Sequence, residues 1–200
     1  MVTLQRKSEN MKAFKSQNWL AFLLPLFFAL SATGQGNIVA NGGFETLGTV
    51  GEMPPWRFQY PYGGVFGEGP RGIHAPEGRN FIIFSGLLYQ DLVAVPGQSY
   101  SLQFLTSAKN AGSISVVPFD LRVSWEGKAL QTISVISPDW QRTTFPVVAT
   151  TSSPRLSFEC LGPQLTSSGS IDAIWVLAVP EPSCLLLFAA GLICACIWHS

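Results

Sequence analysis

Hydrolysis, acyl transfer and metal-assisted chemistry each need a recognisable set of side chains, and this 200-residue sequence is thin in all of them. Catalysis requires a nucleophile with its base, a pair of carboxylates across a cleft, or an open metal site. No HExxH, GxSxG or CxxC pattern occurs. Of the two histidines, His199 sits in an apolar tail, which leaves His74 in the stretch RGIHAPEGRN. There it reads either as a ligand contact or base, or as an exposed loop histidine between glycine and proline. Glu68 with Glu77, or Asp139 with Glu159, offers two carboxyl groups, but nothing around either pair would face them across a cleft as glycoside hydrolysis demands. The chain is expected not to be an enzyme.

Binding has better material. Residues 48–78 are dense in glycine and proline and carry the rings of Trp56, Phe58, Tyr60, Tyr62 and Phe66. Sugar recognition uses aromatic faces together with a few polar groups that reach hydroxyls. Tyr60 and Tyr62, in YPYGG, have no obvious core partner, and Arg71, His74 and Arg79 follow closely in sequence. These five are the candidate glycan-binding residues. The segment is expected to form loops with at most one short strand, around 56–59.

Such loops need a scaffold, and the rest of the chain reads as strands. SYSLQFLTSA places Tyr100, Leu102, Phe104 and, less cleanly, Thr106 on one face. FDLRVSWEG alternates Phe119, Leu121, Val123 and Trp125 against Asp120, Arg122, Ser124 and Glu126. ALQTISV, QRTTFPVVAT, PRLSFECLG and SIDAIWVLA follow, separated by turn-rich clusters such as SPDW and TSSP. Short alternating strands with turn chemistry between them predict an all-β, antiparallel β-sandwich of jelly-roll type. Trp125 is expected in the core, and Trp140, after SPD, at the start of a strand.

Over residues 35–179 eight basic side chains face ten acidic ones, a net charge of −2. That balance argues against nucleic-acid binding, which needs a clustered basic surface. Cys160 is alone in this region, because Cys184, Cys194 and Cys196 lie in the tail. No internal disulfide is available, so packing must supply the stability, with Cys160 read as a small buried apolar residue.

Four landmarks then fall in order: NIVANGGFET (37–46), PPWRF (54–58), HAPEGRNFIIFSGLLYQDLVAVPGQSYSLQFLTS (74–107) and SIDAIWVLAVPEP (170–182). Together they resemble the galactose-binding-like jelly rolls of exported domains that open on Asn-Gly-x-Phe-Glu, several carbohydrate-binding modules among them. The resemblance covers nearly all of residues 37–178 and implies that Trp56 is a core tryptophan. It also implies a structural calcium where the first and last strands meet, with Glu45 and Asp172 as its acidic ligands and carbonyl oxygens completing the shell. The competing reading makes Glu45 a solvated strand-end charge and Asp172 a turn cap.

The two ends carry targeting chemistry. Arg6, Lys7, Lys12 and Lys15 precede the apolar run WLAFLLPLFFAL and the small residues SATGQG. This is the pattern of a secretory signal peptide over 1–34, too short in its apolar core to span a bilayer. At the other end Val179, Pro180, Glu181 and Pro182 precede an apolar helix over 184–198. This end resembles the PEP-CTERM sorting signal that an exosortase cleaves, with His199 where the family carries arginines. The expected organisation is therefore signal peptide 1–34, β-sandwich 35–178 and sorting signal 179–200.

The resemblance implies signal peptidase, the secretion machinery and an exosortase-type protease as partners. It also implies export with transient inner-membrane anchoring, then delivery to the envelope or beyond. The expected function is a non-catalytic glycan-binding or matrix-adhesive protein of the bacterial envelope or exopolysaccharide, with polysaccharide as its ligand. A structural envelope or matrix protein with no small ligand is the alternative, and an exported glycan hydrolase the less favoured one.

Overall fold

Alternating side chains give a strand one dry face and one wet face, and the described residues hold eight such strands. The computed structural model describes residues 36–48, 53–67, 74–109, 116–162 and 168–180, with 60–67 described by their backbone alone. The signal segment, Arg71 and everything from Glu181 onward, including the expected terminal helices, lie outside the described residues. In chain order the strands are β1 (Arg57–Gly67), β2 (Asn80–Asp91), β3 (Ser99–Ser107) and β4 (Phe119–Trp125), then β5 (Lys128–Val135), β6 (Gln141–Val148), β7 (Arg155–Leu161) and β8 (Gly169–Ala178). They belong to one compact unit, Gly34–Glu181.

All the strand pairs are antiparallel. One layer runs β1-β2-β7-β4-β5 and the other β8-β3-β6, with β2 joining them. The first half of β2 pairs with β8 (Ile82↔Ile171, Phe84↔Gly169), and its second half pairs with β7 from Gly86↔Cys160 onward. Gly86 stands at the change of partner with φ 79°, a conformation a side chain would resist. The result is the expected jelly-roll sandwich.

Between the layers, Leu88, Leu121, Val123 and Phe158 meet Tyr100, Leu102, Phe104 and Val176, all buried. Phe104 meets Phe158 edge-on, with centroids 5.0 Å apart, so an aromatic pair spans the core. Trp56 and Trp125 are core residues, as expected, and Cys160 is buried with its thiol pushed up to about 12 by loss of hydration. A thiol so placed stays protonated and unreactive.

One expectation needs correction. Residues 48–78 hold more than a short strand, since β1 runs for 11 residues. The reason lies in its neighbour. β2 is 12 residues long, and its outer edge would otherwise present a row of unpaired amides and carbonyls. β1 pairs along that edge from Arg57↔Tyr89 to Gly67↔Asn80, with a bulge between Gln59 and Tyr62 that absorbs Pro61. Glycine and proline composition marked the irregularity, and the long-range partner overrode it.

Candidate functional site

Strand register lines up the outward residues of the five-stranded layer in rows. Arg57, Tyr89, Ser157, Ser124 and Ala129 make one row, and Gln59, Leu87, Glu159, Arg122 and Thr132 the next. With about 4.8 Å between strands, each row crosses about 19 Å of sheet. Nearly all of these side chains are half or fully exposed and polar. Arg122 donates to Glu159 at 3.0 Å, and Arg155 lies over the Tyr89 ring while gripping Asp91. The salt-bridged Asp91 carboxyl is held below its ordinary range, first by the hydrogen bond from Arg155. This face combines one aromatic ring with fixed donors and acceptors. Among its described side chains there is no nucleophile with a base.

No protein-family model matches the chain, and no curated protein matches it. Solved structures do. The TmCBM61 structure, determined with beta-1,4-galactotriose, aligns at 20% identity and TM-score 0.52, over 72% of this chain and 100% of that one. The CBM22-1 xylan-binding domain of Paenibacillus barcinonensis Xyn10C aligns at 18% identity and TM-score 0.53, over 75% and 99%. The fold is that of the carbohydrate-binding-module jelly rolls.

Of the five sequence-derived glycan residues Arg71 lies outside the described residues, and the other four separate into two places. Tyr60 and Tyr62 lie in β1 rather than in a loop, with Tyr62 paired to Ser85. His74 and Arg79 are exposed residues just ahead of β2. Gly67 pairs with Asn80, so Tyr62 and the Arg79 end of the ladder are five residues apart, about 17 Å. His74 has a structural part as well, because its carbonyl accepts the Trp140 indole N–H at 2.9 Å. Trp140 stands just before β6, as expected, and meets Phe81 edge-on at 5.7 Å.

Two rings escaped the sequence reading. Tyr89 and Trp175 both occupy outward positions of strands otherwise rich in apolar residues, and alternation against Leu88 and Val176 would have found them. Trp175 lies on the outer face of the second layer, with the Arg142 guanidinium carbon 5.6 Å from its ring centroid.

A second feature sits at the end of the sandwich where β2 and β8 begin. In NGGFE, Asn41 and Phe44 take left-handed backbone at φ 54° and 56°, and the Asn41 side chain ties the turn by bonding both the amide and carbonyl of Thr46. A Cβ on Gly42 would collide with the Ile174 carbonyl oxygen, so only glycine lets this turn dock on β8. The turn delivers Glu45 to the start of β2, where its Oε1 accepts the amides of Arg79 and Asn80 at 2.8 and 2.7 Å.

Behind it Asp172 is fully buried, and its Oδ2 accepts the Glu77 amide at 3.2 Å. Its Oδ1 and Oε2 of Glu77 are buried without a hydrogen-bond partner. Burial pushes the Asp172 carboxyl up to about 8, with the charges of Glu77 and Glu45 adding to the rise. Burial and then Glu45 raise Glu77 as well. Asp172 is thus no solvated turn cap. Glu77 is the partner that sequence reading missed, since a lone loop glutamate carries no signal. Among the described residues no three acidic, histidine or cysteine side chains form a ready metal shell.

Proposed function

We propose that this protein is a non-catalytic carbohydrate-binding module whose ligand lies across the outer face of the β1-β2-β7-β4-β5 layer. The observation that carries the reading is the pair of transverse rows on that face, with the half-exposed Tyr89 ring set among Arg57, Gln59, Glu159 and Arg122. A ring offers a stacking surface for a pyranose, and the ordered charged and amide groups reach its hydroxyls. Tyr60 and Tyr62 belong to β1, the edge strand of that layer, and His74 and Arg79 lie just ahead of β2; Arg71 is proposed with them from the sequence alone. Similarity of fold to modules that were solved with galactotriose or are named for xylan supports a polysaccharide ligand.

A structural calcium belongs to the same reading. The unpartnered oxygens of Asp172 and Glu77 are hard donors of the kind calcium prefers, and Glu45 adds charge beside them. Asp172 and Glu77 would be its side-chain ligands with Glu45 close by, and backbone carbonyls would complete the shell. The ion would neutralise charge that the fold otherwise buries.

Export by a signal peptide, removal of the tail by an exosortase at 179–182, and residence in the envelope or exopolysaccharide complete the proposal. They rest on the two terminal sequence patterns. Polysaccharide pull-down against plant, algal and bacterial glycans tests the binding. Binding that is lost in Tyr89→Ala, or in Tyr60→Ala with Tyr62→Ala, supports the module. Silence across the panel by a folded protein overturns it in favour of a purely structural matrix protein. Intact mass of the exported protein tests the processing, since a C-terminus still at Ser200 would contradict it.

A further inference from the structure

Large apolar side chains on a surface are unremarkable when scattered, but a cluster without charges among them marks a contact surface. Three segments meet at one end of this sandwich: 92–99, 148–154 and 177–180. They are bound to one another by backbone hydrogen bonds, Gly97 to the Ala149 carbonyl at 2.7 Å and Ala94 to that of Ser152 at 3.1 Å. Val179 donates to the Ser99 carbonyl at 2.9 Å and accepts the Gln98 side-chain amide at 2.8 Å. None of the three segments contains Asp, Glu, Lys or Arg. They carry most of the exposed large apolar residues described: Val93 at 81%, Val95 at 51%, Val148 at 50%, Val179 at 42% and Leu177 at 38%. Charge stands at their margin, in Glu126, which accepts the amides of Thr150 and Thr151, and in the Asp91–Arg155 pair.

The chain continues from this same end. After Val179 only Pro180, Glu181, Pro182 and Ser183 precede the apolar stretch 184–198. Five residue steps span at most about 17 Å, little more than half the hydrocarbon core of a bilayer. Whatever surface the apolar stretch enters therefore lies within about 17 Å of Val179.

We propose that the valine-rich end formed by 92–99, 148–154 and 177–180 rests on the lipid headgroup layer of the membrane that residues 184–198 enter. The inference rests on reading that stretch as membrane-inserting. Its content is orientation. The sandwich stands with its valine-rich end on the bilayer, and the acidic group of Glu45, Glu77 and Asp172 is turned away toward the other end. Val93, the most exposed of these residues, belongs to the contact, where an apolar side chain gains by leaving water while Glu126, Asp91 and Arg155 stay at the rim. The strand faces that bear Tyr89 and Trp175 then stand upright and open to polymers beside the membrane.

The test is photocrosslinking of the full chain in phosphatidylethanolamine–phosphatidylglycerol vesicles, with benzoylphenylalanine at Val93, at Val148 or, as a control, at exposed Asp139 on the opposite end. The expected result is that the protein floats with the vesicles and forms phospholipid adducts from Val93 and Val148 but not from Asp139. Flotation without adducts, or with equal adducts at all three positions, overturns the proposed orientation and leaves the insertion of 184–198 standing. Protein–protein adducts alone would assign this end to a second copy of the chain and overturn the lipid contact. Failure to float overturns the reading of 184–198 and this inference with it.

Discussion

The guanidinium carbon of Arg155 lies 4.3 Å from the centroid of the Tyr89 ring, and its Nε and Nη2 hold the two Asp91 carboxylate oxygens at 2.7 and 2.9 Å. Asp91 and Arg155 are themselves opposed in the β2–β7 register. Two side chains on neighbouring strands therefore orient one half-exposed ring on a polar sheet face. Replacing Arg155 by Ala removes a surface ion pair worth up to about 1 kcal/mol and a similar cation–π contact. Thermal unfolding should fall by only about 5 °C, while polysaccharide affinity falls because the ring loses its support. Unchanged affinity would show that the ring is not used.

Removal of the ring itself should act more directly on binding. For Tyr89→Ala we expect affinity for the recognised polysaccharide to drop about tenfold, the scale of a lost aromatic contact. Thermal stability should change little. Affinity electrophoresis across a glycan panel measures the first and calorimetry the second.

Calcium should raise the melting temperature, and excess chelator should reverse the rise. At free calcium about 100-fold above Kd the gain is about 2.7 kcal/mol. Asp172→Asn and Glu77→Gln should each abolish the calcium response. Glu45→Ala should abolish it too, while also freeing the amides of Arg79 and Asn80. A melting temperature indifferent to calcium and chelator would remove the ion from the proposal.

Acid should expose the part played by Glu126. Its carboxylate accepts the amide and hydroxyl of Thr150, the latter at 2.5 Å, and the amide and hydroxyl of Thr151. The Thr150 hydroxyl leads in holding its pKa below 4.5. A carboxyl depressed on folding contributes stability that is present above its unfolded pKa and lost as pH falls through the folded value. Between neutral pH and about pH 3, Glu126→Gln should therefore lose less stability than the parent chain, as read by thermal melts. Equal losses would show that these bonds carry no net stability.

Trp56 should separate packing from hydrogen bonding. Its ring lies 5.7 Å from Phe44 and 6.3 Å from Phe158, and its Nε1 donates to the Asn41 carbonyl at 3.0 Å. Trp56→Phe keeps much of the apolar volume and loses one hydrogen bond, at a cost of about 0.5–1.5 kcal/mol, since the Asn41 carbonyl still accepts the Phe44 amide at 3.2 Å. Trp56→Ala adds a cavity and should cost about 3–5 kcal/mol. Denaturant unfolding of the two variants gives both numbers.

Alternation was legible because it is local. Phe119, Leu121, Val123 and Trp125 face the core, as a period of two requires, and so do Tyr100, Leu102, Phe104 and Thr106. The same rule carried the outward Tyr89 and Trp175, though their apolar surroundings hid them. The length of β1 was not legible, because its partners on β2 run from Gly67↔Asn80 to Arg57↔Tyr89, beyond any local window, and no local propensity reports an edge in need of pairing.

By itself, then, the sequence determined the all-β class, the inward and outward faces and the order of the strands, all properties of neighbouring residues. Only the tertiary structure decided what comes together from afar. It opposed Arg155 to Asp91, laid Arg122 beside Glu159, and brought the segments of Val179, Val93 and Val148 to one end. It also buried Asp172 against Glu77, 95 residues away. Such meetings depend on register and on which strand edges remain unpaired, and those are settled by burying the whole core at once.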